Sequence, residues 1–171
     1  MPGSDPGGAS SSREADGPDE INRSDVMFTM MMVPHHQQAI EMSEIIRSKS
    51  GVDSRVRNLA HQIAEAQGRE IELMEAWLDD WRVPSMGDMG HGNGMMSDDD
   101  VSALEAAEGP NATRLYLERM MVHHEGAIVM AEWVIDHGNN ADVRALSRRI
   151  IESQTLEIAT MRRLLTDSNS E

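Results

Sequence analysis

Along residues 24–50 the positions Phe28, Met32, His35, Ala39, Met42 and Ile46 recur at alternating spacings of four and three. That rhythm keeps them on one face of an α-helix. Ser24 is placed to cap its start, and Gly51 ends the segment. Asp53 or Ser54 can cap a second helix with the stripe Val56, Ala60, Ile63, Gln67, Glu70, Met74 and Trp77. Residues 82–100 break the rhythm with Pro84 and repeated glycines, which predicts a loop. Ser97 then caps a short helix that stops at Gly109-Pro110. Asn111 opens a third long helix carrying Tyr116, Met120, His123, Ala127, Met130 and Val134, and Gly138-Asn139-Asn140 turns the chain. The fourth long helix carries Val143, Ser147, Ile150, Gln154, Glu157, Met161 and Leu164. No stretch alternates with the period of a strand. The prediction is an all-α protein, an antiparallel four-helix bundle made of two helical hairpins over 24–81 and 111–166.

The hairpins are copies of one unit. Between His35–Glu44 and His123–Glu132 six of ten positions are identical, including both histidines of each His-His pair. Between Val56–Met74 and Val143–Met161 nine of nineteen are identical. A chain of 171 residues fits one domain, expected over 24–166. The Gly/Ser/Pro/Asp-rich residues 1–23 read as a disordered tail. Such a leader suits a mature exported protein cut from its signal, and equally a cytoplasmic protein with a loose end.

Composition narrows the chemistry. A net charge of −15 argues against a nucleic-acid partner, because phosphate binding needs a basic face. There is no cysteine, hence no disulfide and no thiolate ligand. No apolar run approaches the roughly 18 residues of a bilayer span, so no membrane span is expected. Methionine is in excess, at 15 residues against one Phe and one Tyr, and part of that excess is packing.

The rest of the excess sits beside histidine. Met32 lies one helical turn before His35 and His36, and Met120 one turn before His123 and His124. Met42 and Met130 follow on the same stripes. Imidazole nitrogen with thioether sulfur is a soft donor set suited to Cu(I) and to the similar Ag(I). Gln67, Glu70, Gln154 and Glu157 occupy stripe positions where an apolar residue would pack better. A buried carboxylate is costly unless it is paired or holds a cation. Counted outward from the turn at Gly51, Gln67 and Glu70 fall level with Met32–His35. Glu70, and Glu157 in the second copy, are therefore expected either to orient an imidazole or to join the metal directly. The competing reading is a His–Glu–Gln layer that only sets helix register. Pro34 removes one helical N–H and is expected to kink the first helix before His35; the second copy has Val122 there, so the two sites should differ in geometry.

The loop supplies a second constellation. Met86, Met89, His91, Met95 and Met96 stand among Gly, Asp, Asn and Ser with no periodicity, which favours a flexible tract wrapping a soft cation over packing. Met27, Met30 and Met31 extend the cluster. Glu44 with Arg57, and Glu132 with Arg144, are expected as ion pairs; Trp77, Trp81 and Trp133 as packing residues; His61 and His137 as surface histidines.

These motifs resemble the DUF305 family, ferritin-like helical-bundle proteins that are mostly bacterial and exported. The likeness rests on M-x-x-H-H, A-I-x-M and then Q-x-x-E-I-x-x-M. Here those are Met32, His35, His36, Ala39, Ile40 and Met42, then Gln67, Glu70, Ile71 and Met74. The second copy supplies Met120, His123, His124, Ala127, Ile128, Met130, Gln154, Glu157, Ile158 and Met161. Pro34 departs from the pattern. Some members are regarded as copper-binding proteins of the cell envelope, so the resemblance implies a ferritin-like fold, a secreted or cell-envelope location, and copper binding or tolerance. A metal ion is the expected partner, and a homo-oligomer stays open. A di-iron enzyme is disfavoured: such sites need Glu-x-x-His on two helices, and the chain contains none.

Overall fold

The structure, a computed structural model, describes residues 20–84 and 92–168. Five helices and no strand are found among the described residues: α1 (Arg23–Ser48), α2 (Ser54–Asp80), α3 (Asp98–Ala106), α4 (Gly109–His137) and α5 (Ala141–Ser168). The four long helices are the predicted ones, and α3 is the short one capped by Ser97. The tail expected at 1–23 falls largely outside the described residues, at 1–19.

Start and stop chemistry explains the boundaries. Asn22, two residues before the expected cap, receives the Asp25 N–H while the Asp25 carboxylate receives the Asn22 N–H, a reciprocal capping box. Asp53 caps α2 through the Arg55 N–H. α4 begins at Gly109 rather than Asn111, with Pro110 in the first turn, where a missing N–H is harmless. Helix α1 runs unbroken through Pro34.

α1 packs on α2 and α4 on α5, the two hairpins join through α1 against α4, and α3 lies on α1 and α4. Ser43 Oγ meets Tyr116 Oη at 2.9 Å, while His35 meets His123 nearer the other end. Rising numbers on α1 thus meet falling numbers on α4, and the pair is antiparallel. The apolar core forms two clusters. One, around Ile46, Ile63, Leu117 and Met161, takes the second half of α1 and the first half of α2. The other, around Phe28, Met74, Val134 and Ile150, takes the opposite halves. Between them lies a buried polar layer of His35, His36, Gln67, His123, His124 and Gln154.

Asp25 fastens one end. Fully buried, it accepts the N–H groups of Asn22, Asn139 and Asn140, tying the start of α1 to the α4–α5 turn. The expected pairing of Glu44 with Arg57 does not form. The Arg57 guanidinium instead donates to the carbonyls of Arg47 and Lys49, at the C-terminal end of α1, and of Val52 in the turn that follows. Glu132 and Arg144 likewise form no ion pair among the described residues. Trp77 and Trp81 stack at 6.0 Å and Trp133 lies over His137 at 4.7 Å. His61 and His137 are surface residues, as expected.

Candidate metal centre

The two His-His pairs do not make two sites. Antiparallel packing of α1 and α4 sets the His35 and His123 rings against each other, centroids 3.8 Å apart and planes inclined by 32°. His36 turns the other way, toward α2, and donates from Nε2 to Glu70 Oε2 at 2.6 Å. His124 does the same toward α5, with Glu157 Oε2 at 2.6 Å. Each carboxylate is only 21% exposed, so each bond is held largely away from water. Glu70 was expected level with Met32–His35; the bond falls on His36, one residue further. The result is one centre with two matching halves.

These bonds fix tautomers. A carboxylate only accepts, so Nε2 carries a proton on His36 and His124, and in the neutral ring the lone pair lies on Nδ1. His35 Nε2 donates to the backbone carbonyl of Asn93 at 2.9 Å, which leaves its Nδ1 as the acceptor too. All three Nδ1 atoms are buried with no hydrogen-bond partner, and His123 has neither ring nitrogen paired. Burial drives the His35 pKa down to about 3, only partly opposed by the bond to Asn93. Burial and the neighbouring histidines hold His123 well below the ordinary histidine range. Both rings are therefore neutral at physiological pH, the form that ligates metals.

Met32 and Met120 are fully buried, each one turn from its histidines. Counting back along α1 and forward along α2 from the His36–Glu70 bond puts Met74 opposite Met32. The same count on α4 and α5 puts Met161 opposite Met120. Both are fully buried. Sequence reasoning placed Met74 and Met161 in the repeat without assigning them to the site, although the doubled Q-x-x-E-I-x-x-M carries the signal. Met42 and Met130 lie seven residues beyond His35 and His123, roughly 10 Å along the helix at 1.5 Å per residue. They are outside the centre. Met86, Met89 and His91 lie outside the described residues. Met95 is half-buried, but Met96 is 7% exposed and packs in the core with Leu104 and Met120. The expectation that packing has no part in the loop methionines is wrong for Met96. Gln38 explains why: its side chain bonds both the N–H of Met96, at 2.7 Å, and its carbonyl, at 2.9 Å, fastening the segment over the bundle.

Asn93 is the partner the sequence does not reveal, since it acts through a main-chain carbonyl. It reaches His35 because α4 carries Gly126 beneath it: a Cβ there would stand 1.6 Å from the Asn93 oxygen. Asn93 and Gly94 take positive φ values of 51° and 82° to make this approach.

The donor types fit a soft cation. Unpaired, neutral, buried imidazole nitrogens and adjoining thioethers are what Cu(I) and Ag(I) prefer. Among the described residues no three His, Asp or Glu side chains are grouped to hold a metal, so imidazole and carboxylate alone do not complete a site. Any metal held here would have to draw its remaining donors from elsewhere, and methionine sulfur is the soft donor at hand.

No curated protein matches the chain. Solved structures do. A DUF305 protein of Streptomyces coelicolor, inferred to be secreted, is 35% identical with a TM-score of 0.80, over 85% of this chain and 94% of that one. A DUF305 fragment from Deinococcus radiodurans is 30% identical, TM-score 0.80, over 86% and 98%. CopM in its Cu(II)-bound form is 32% identical, TM-score 0.73, over 84% and 96%, and CopM has also been solved with Cu(I) and with silver. A family model described as "Domain of unknown function (DUF305)" matches residues 25–165, nearly everything from the capping box of α1 to the end of α5. The chain belongs to the DUF305 family.

Proposed function

We propose that this protein is a copper-binding protein, taking Cu(I) as cargo at the centre between α1 and α4 for sequestration or tolerance. The observation that carries the reading is the set of buried, partnerless Nδ1 atoms on His35, His36 and His124. A buried polar atom without a partner costs about 1–3 kcal/mol, and a cation at these lone pairs removes that cost. Met32 and Met120 supply sulfur from either side, with Met74 and Met161 opposite them. Glu70 and Glu157 hold the His36 and His124 rings in a fixed orientation. The copper- and silver-bound forms of CopM support the choice of metal. In this reading residues 24–166 act as one ferritin-like domain, α3 is an accessory to its long crossover, and the protein works outside the cytoplasm, secreted or at the cell envelope. It has no catalytic cycle.

A second reading has one observation in its favour: the two His–Glu bonds tie α1 to α2 and α4 to α5 and would set helix register without metal. Competition with a chromophoric Cu(I) chelator separates the two. The double variant His35→Asn, His123→Asn keeps polarity and approximate volume, and is expected to lose the most tightly held copper. Unchanged competition in a variant that keeps its helicity would leave only the register role.

A further inference from the structure

Outside the buried centre, α1 and α4 leave an open groove of about 260 Å³ on the surface, lined by Met27, Met31, Val129, Met130 and Trp133 with Asn93 at its edge. Val129 is 60% exposed, and Met27 and Trp133 are each 42% exposed. Met27 and Met31 are one turn apart on α1, and Met130 faces them from α4. Both helices contribute thioethers to the groove. Hard donors are scarce: the side chains named carry none beyond the Asn93 amide, and the Asn93 carbonyl already accepts from His35. A hard divalent cation has little to bind there, whereas a soft one has three sulfurs and an indole. Unbranched methionine side chains can rotate to close on such an ion. An adjacent indole face adds cation–π attraction, and the net charge of −15 favours cations near the surface.

We propose that this groove is a second, solvent-facing site for a soft monovalent cation, Cu(I) or Ag(I), held by Met27, Met31 and Met130 beside Trp133. The proposal rests on the cargo chemistry inferred for the buried centre but uses none of the residues assigned to it. The two sites share a wall, because the residue at the groove edge is the one whose carbonyl holds His35. A cation captured outside therefore stands next to the segment that covers the histidines.

The test uses Ag(I) as a redox-stable probe on the full chain in chloride-free buffer. Stoichiometry is read by native mass spectrometry. Quenching of Trp133 is read in a Trp77→Phe, Trp81→Phe background. The variant Met27→Leu, Met31→Leu, Met130→Leu keeps the groove apolar and similar in volume. It is expected to lose one Ag(I) equivalent and the Trp133 quenching, and Met27→Leu, Met31→Leu alone, which leaves Met130 in place, should lose most of both. The His35→Asn, His123→Asn variant should keep the groove equivalent and its quenching while losing the central one. Failure of the central site alone thus counts against the proposed function and not against the groove. Unchanged stoichiometry and quenching in the triple leucine variant would overturn the groove site.

Discussion

Glycine in the middle of a helix is normally a weakness, and replacing it with alanine stabilises by about 0.8–1 kcal/mol. Gly126, in the middle of α4, should do the opposite. An added Cβ would stand 1.6 Å from the Asn93 oxygen, 2.3 Å from its carbonyl carbon and 2.9 Å from Gly94 Cα, all main-chain atoms with little freedom to yield. The segment over the centre has to lift. Lifting it breaks the bond from His35 Nε2 and leaves that N–H buried and unpaired, which costs about 1–3 kcal/mol. The forced displacement adds about 1–3 kcal/mol. After the gain in helix propensity, the expected net loss for Gly126→Ala is about 3 kcal/mol. In a protein of this size that corresponds to a fall in Tm of roughly 6–12 °C. Gly68 is the internal control. It also sits in a long helix, but the nearest atom to an added Cβ is Ile40 Cδ1 at 4.0 Å, so Gly68→Ala should stabilise by up to about 1 kcal/mol. Urea and thermal unfolding of the metal-free protein read both. A Gly126→Ala protein as stable as the wild type would refute the claim that the 92–96 segment is held tightly on His35.

Acidification should destabilise the metal-free fold through His35, whose folded pKa of about 3 lies below the unfolded value near 6.5. The unfolded chain then takes up a proton that the folded one refuses, so stability is complete above about pH 6.5 and declines as pH falls from there toward 3. Between pH 7.5 and 5 this amounts to about 2 kcal/mol for His35, with His123 acting in the same direction; identical urea midpoints at the two pH values would contradict it. Asp25→Ala removes the acceptor shared by three main-chain N–H groups and should cost about 2–4 kcal/mol in urea unfolding. Anything under about 0.5 kcal/mol would mean that the α4–α5 turn does not depend on it. Glu70→Ala with Glu157→Ala leaves the imidazoles in place but unoriented, and should weaken Cu(I) binding on the order of 10–100-fold in chelator competition. Wild-type affinity would show that the carboxylates serve register only.

The periodic positions were sufficient to place the four long helices, because a stripe spaced four and three specifies which side of a helix turns inward. All six stripe positions of α1, and all six of α4, are buried. The duplicated His-His, Gln and Glu positions were equally visible as residues out of place on an apolar face. A stripe, however, describes rotation about one helix axis and is silent on which helix lies opposite. The meeting of His35 with His123 was therefore decided by α1 packing against α4. His36 and His124, about 100° away from those neighbours around each helix, are buried only because a second helix, α2 or α5, covers that side as well. Met96 looked like a loop residue because its burial comes from helices distant in the chain. The bond from His35 to Asn93 left no mark in the residue pattern, since any residue has a carbonyl and only the space above Gly126 admits this one. The spacing of residues along the chain was enough to orient one face of each long helix inward and to show the chemistry carried by the side chains on that face. Tertiary packing alone decided which of them meet, because convergence depends on the distance between axes that no single segment encodes.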